Sequence, residues 1–191
     1  ANKDGFNINL EAALQYDSLS KVISGYMTGQ RFEMSEGLIK KHVIVKDCKV
    51  YSDLQESMVI EVEFEGSHKG TVYFTGKPVY NPDTRMIEMQ NFQYDLKTKS
   101  FLLNTAKWLF DKRILSEIKK YTAIDMNSYY DTASKTMNDW LNREWTKGIR
   151  GSGSIQDLKL TAVKALPEHL MIRSNCVGKL NILVNQVEFK L

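Results

Sequence analysis

The chain has 191 residues, 42% of them hydrophobic and 26% charged, close to the averages for soluble globular proteins. That length most simply makes one domain over 1–191, with a core large enough to need no metal or disulfide staple. No apolar run approaches the ~18 residues of a membrane-spanning helix. The net charge of +3 is too small to argue for nucleic acid, though it is uneven: 12 Lys and Arg face 14 Asp and Glu over residues 1–100, and 14 face 9 over 101–191, so a basic second half permits an anionic surface as a partner.

The first segment alternates with period two, Phe6, Ile8, Leu10, Ala12 and Leu14 against Asn7, Asn9, Glu11 and Gln15, which predicts a half-buried strand, although its Ala and Leu content from 10 to 14 also suits a helix. From Asp17 or Ser18 the period lengthens. Leu19, Val22, Ile23, Tyr26 and Met27 mark a short amphipathic helix, and Gly29 is placed to stop it. Strand signals follow. Val43, Val45 and Val50 lie in one strand with Cys48; Ile60, Val62 and Phe64 alternate with Glu61, Glu63 and Glu65 in the next. Gly66–Gly70 turns the chain into a strand over 71–80, and Asn81-Pro82-Asp83 forms a tight turn into 86–96. The hydrophobic phase of that last strand changes near Gln90–Phe92, which predicts a bulge. Neighbours joined by such turns form an antiparallel meander.

From about Ser100 the pattern is helical for some 45 residues. A first helix over 101–121 is apolar on more than half of its circumference, so it is expected to be covered from two directions. A second over 125–147 carries one narrow stripe of Met126, Tyr129, Tyr130, Ala133, Met137, Trp140 and Leu141, with the opposite face polar, and is expected to be covered from one side. Gly148–Gly153 ends the helices, and strands are expected over 154–164, 169–174 and 178–191. The whole is α+β: a strongly curved antiparallel sheet of about six to eight strands wrapped on long helices.

Catalysis leaves little trace. His42, His68 and His169 lack metal-ligand spacing, no nucleophile elbow or Cys–His signature is present, and Gly148–Gly153 follows a helix where a phosphate cradle must precede one. The glutamates at 61, 63 and 65 read as the wet face of a one-sided sheet. The sequence points away from an enzyme, and no cofactor or metal is implied. Cys48 and Cys176 show no CxxC spacing and are expected to be buried, reduced thiols. The basic first helix reads either as a membrane-surface helix or as a core helix with a solvated edge. The helices are rich in aromatic residues and methionine, which line both ordinary cores and pockets for apolar ligands. The candidate wall of a groove between sheet and helices is Trp108, Phe110, Ile114, Tyr129, Tyr130 and Trp140.

The stretch Gly70–Arg85, with Asp95-Leu96-Lys97-Thr98-Lys99, Ala106–Phe110, Leu141–Glu144 and the glycine-bearing Gly151–Leu158, resembles the bacterial domain-of-unknown-function 4403 family. The resemblance implies an exported or envelope-associated protein, periplasmic in a bacterium, of which this chain is the C-terminal part, and it supplies no catalytic residues. The element order is also similar to the tubular lipid-binding superfamily. That likeness implies a lipid or other elongated apolar small molecule as ligand, with peripheral membrane contact as a further partner. The alternative is a structural or interaction domain of the envelope with a packed core; a groove below roughly 300 Å³ would favour it.

Overall fold

The computed structural model describes residues 5–36, 39–53, 55–97 and 112–185. In chain order these form β1 (Phe6–Gln15), α1 (Tyr16–Met27), β2 (Arg31–Glu36), β3 (Ile39–Ser52), β4 (Met58–Gly66), β5 (Gly70–Asn81), β6 (Met86–Lys97), α2 (Lys112–Thr122), β7 (Ile124–Asp125), α3 (Asn127–Leu141), β8 (Glu144–Thr146), β9 (Ile149–Ala165) and β10 (His169–Val184). The strands make two sheets, one of order β1-β10-β9-β8 and one of order β2-β3-β4-β5-β6-β7. The chain divides into two compact units. One holds Ala1–Ala12, Asp125–Ala162 and Ile172–Leu191; the other holds Ala13–Ile124 and Val163–Met171.

The unit built on Ala13–Ile124 is an antiparallel meander covered by α1. Tyr16, Leu19, Ile23 and Met27 of α1 are buried, one line of a helix with period 3.6. Beside them Ser20 Oγ accepts the Val50 N–H at 2.8 Å, so the helix is pinned to β3 by a side chain as well as by its apolar face. Gly29, at φ +83°, ends the helix, and its N–H reaches the Val45 carbonyl at 2.9 Å. Two bulges account for two changes of hydrophobic phase. In β3 the register shifts between Val45 and Asp47, so Val43 and Val45 point inward before it and Cys48 and Val50 after it. In β6 the shift lies opposite Thr75/Lys77, where Asn91 adopts φ +52°, inside the Gln90–Phe92 window expected from the sequence. Gly76 sits across from this bulge because a Cβ there would stand 2.9 Å from the Gln90 carbonyl oxygen. Ile60, Phe74, Ile87 and Leu170 form the dry centre. Glu61, Glu63 and Glu65 alternate with the buried residues of β4, and Glu65 pairs with Lys46 at 2.9 Å.

The antiparallel meander is as expected, but the second helix is shorter than expected. The first is described from Lys112, with 98–111 outside the described residues; the second ends at Leu141 instead of running to 147. Its last expected turn is the short strand β8, whose Glu144 and Thr146 pair with Arg150 and Ile149 across the turn at Gly148, φ +76°. The closing strands are also fewer and longer. The Gly151–Gly153 stretch is the start of β9, and β10 continues through Gly178 without interruption. Antiparallel sheets thus dominate over helices. Cys48 and Cys176 are free and buried.

Candidate functional site

The helix α3 is held by the edge of β9. Among the described residues β8 pairs only with Ile149 and Arg150, so the backbone of β9 beyond Arg150 needs other partners on that side. They come from α3 and its C-terminal turn. Gly151 N–H donates to the Arg143 carbonyl (3.0 Å), Gly153 N–H to Asn142 Oδ1 (3.0 Å), and Ile155 N–H to Asn138 Oδ1 (2.8 Å). Asn142 Nδ2 returns a bond to the Gly153 carbonyl at 2.8 Å, and the Tyr130 hydroxyl accepts the Leu160 N–H at 3.0 Å. Tyr130, Asn138 and the C-cap Asn142 are spaced eight and four residues apart, so they share one broad side of the helix. The face of α3 that meets the strand therefore carries polar groups beside the buried Leu141. An open strand edge demands acceptors at alternate residues, and asparagine at helix spacing supplies them alongside the apolar stripe.

The stripe divides: Met126 and Leu141 are buried at its two ends and Tyr130 meets β9, while one flank turns outward. Tyr129 and Trp140 are 49% and 48% exposed, with Ala133 and Met137 half-buried between them. A groove of about 610 Å³ follows this face, lined by Ser128, Tyr129, Thr132, Ala133, Thr136 and Met137. At its C-terminal end Trp140 stacks on Trp145 of β8, with ring centroids 5.0 Å apart, and the Trp145 indole N–H donates to the Trp140 carbonyl at 3.0 Å. The Trp145 ring in turn lies over Gly151, where a Cβ would stand 2.6 Å from Cζ2. An apolar surface thus runs from Tyr129 along α3, over the tryptophan pair, to the sheet. In that sheet Phe6 lies over Gly178, on the face that Leu180 and Ile182 share by alternation. The opposite face is polar: Arg173 bonds Glu11 at 2.9 Å, and the Asn175 amide bonds Asn7 and Asn9.

Of the wall residues expected from the sequence, Tyr129 and Trp140 line this face, and Tyr130 turns away to β9. Trp108 and Phe110 lie outside the described residues, as does the side chain of Ile114 in α2. Sequence reasoning missed Trp145, Asn138 and Asn142. The asparagines left a signal, since polar residues four apart on a helix beside a glycine-bearing strand are what an edge-covering helix requires.

The chemistry available is apolar and cationic. The Arg143 guanidinium sits 5.7 Å from the Trp140 ring centroid. Among the described residues no three His, Cys, Asp or Glu side chains gather to hold a metal ion. A second groove, of about 710 Å³ between α1 and β3, includes Cys48. Burial, helped by the Asp47 carboxylate, pushes that thiol up to about 12, so it is a protonated packing group at neutral pH and a poor nucleophile.

The family model described as Domain of unknown function (DUF4403) matches residues 1–184, nearly the whole chain. The chain belongs to this family. No curated protein matches the sequence of this DUF4403 member. Among solved structures it is similar to the crystal structure of lipopolysaccharide binding protein, at 8% identity and a TM-score of 0.34, over 98% of this chain and 53% of the other. The DUF4403 chain therefore spans about half the length of that protein. Among the described residues no helix is long and apolar enough to cross a membrane.

Proposed function

We propose that this DUF4403 chain is a non-catalytic module of the bacterial cell envelope that binds a lipid or another elongated apolar molecule along the outward face of α3. The observation that carries this reading is the groove of about 610 Å³ walled by Tyr129, Ala133 and Met137. Its volume falls within the range of small-molecule sites, roughly 300–1,000 Å³, and above the limit that would favour a packed interaction domain. An aromatic ring, a small residue and a flexible thioether suit a chain of methylenes, each worth about 0.8 kcal/mol when buried. The threonines at 132 and 136 give the rim hydroxyls for a polar head.

Native mass spectrometry of the purified chain with palmitate and with phosphatidylethanolamine tests the reading. We expect one equivalent of at least one of them to be retained, and Ala133→Trp, which fills the groove, to weaken retention at least about tenfold. A chain that takes up neither, or an Ala133→Trp variant that binds like wild type, overturns it.

A further inference from the structure

We propose that the end of the four-stranded sheet where β8, the start of β9 and the end of β10 meet is a docking tip for an anionic lipid bilayer surface. The bond from Asn185 N–H to the Gly148 carbonyl, 2.8 Å, closes the end of β10 onto the turn between β8 and β9. At this end Ile182, Leu183 and Val184 are consecutive and 57%, 51% and 54% exposed. Side chains of a strand alternate between faces, so Ile182 and Leu183 project on opposite sides of the sheet. A groove ligand or a partner sheet covers one face only. A strand end that is apolar on both faces suits an environment that surrounds it, which the acyl boundary of a bilayer does.

Charge selects the occupant. Residues 142–150 and 179–185 contain Arg143, Lys147, Arg150 and Lys179 against the single carboxylate of Glu144. All four cations are exposed, and Arg150 lies in the first residues of β9 beside the turn that receives Asn185. The tryptophan pair stands between this cationic rim and the apolar surface of α3, and indole rings settle at the boundary of headgroup and hydrocarbon. Apolar tip, indoles and cations in one place match a leaflet with phosphate headgroups outside and acyl chains within.

The test is co-sedimentation of the full chain with vesicles of phosphatidylcholine alone and with about one third phosphatidylglycerol, at low and high salt. We expect partition into the anionic vesicles, a blue shift of tryptophan emission on binding, and loss of binding as salt rises. Lys147→Glu/Arg150→Glu and, separately, Leu183→Ser/Val184→Ser should each lower partition at least about tenfold while circular dichroism stays unchanged. Ala133→Trp, which blocks the α3 groove, should leave partition intact, so this proposal and the ligand reading fail separately. Absence of wild-type partition at low salt, equal partition into neutral and anionic vesicles, or folded variants that partition like wild type would each overturn the tip.

Discussion

Gly151 and Gly25 show how much the surroundings of one missing side chain decide. Gly151 lies under the Trp145 ring and against the Leu141 carbonyl. Gly151→Ala must displace one of them, and we expect a loss of about 1–3 kcal/mol in urea unfolding, with a shift in tryptophan emission. Gly25, inside α1, meets nothing within 4 Å of its would-be Cβ. Gly25→Ala should stabilise by about 0.5–1 kcal/mol in the same assay. Cys48 makes a prediction of a different kind. Its pKa rises on folding from an ordinary 9.0 to about 12, so its contribution to stability is complete below pH 9 and is lost as pH climbs from there toward 12. Above pH 9 the unfolded chain gives up a proton that the folded chain keeps. Each pH unit therefore costs about 1.4 kcal/mol for this group. Cys48→Ala should flatten the alkaline limb of the stability curve by that slope, and the native thiol should resist alkylation at pH 8.

At the scale of the element, α3 closes β9 as a strand would, but with asparagine side chains in place of backbone. Asn142→Ala removes the partners of both Gly153 N–H and Gly153 C=O, and Asn138→Ala removes that of Ile155 N–H. We expect each to cost about 1–3 kcal/mol in thermal or denaturant melts. The double variant uncovers an open edge, so it should also self-associate in sedimentation velocity at concentrations where wild type is monodisperse. Sequence legibility differed between elements for physical reasons. The bulge in β6 and the helix α1 were readable, because hydrophobic phase and a glycine stop are local signals. The end of α3 was not. Trp145 and Thr146 extend a helical pattern, and only pairing with Ile149 and Arg150 turns that segment into β8. The stripe of α3 was legible as a stripe, whereas which of its residues meet β9 and which turn outward depended on the hydrogen-bonding needs of a strand ten to thirty residues away.

For the molecule as a whole, alternation and turns sufficed to read an antiparallel meander, while the division into two sheets was hidden because nothing local tells β9 and β10 to join β1. Each of the two compact units draws on separate stretches of sequence. In the larger one, the hairpin tip at Val163–Met171 supplies Leu170, fully buried, and the Leu166 carbonyl that accepts the Tyr16 hydroxyl at 2.7 Å. Leu170→Ala should cost about 2–5 kcal/mol, and Tyr16→Phe about 1 kcal/mol, both read from urea midpoints.

The pairing of β1 with β10 has a consequence for biosynthesis. Glu11 and Arg173, joined across these strands, are 162 residues apart. On a ribosome elongating at about 5–20 residues per second, β1 emerges roughly 8–30 s before its partner exists. Through that interval Phe6, Ile8, Leu10 and Leu14 sit on a strand with no neighbour, available to any chaperone or to another nascent chain. The native partner of the first strand thus becomes available only when the last long strand has been synthesised.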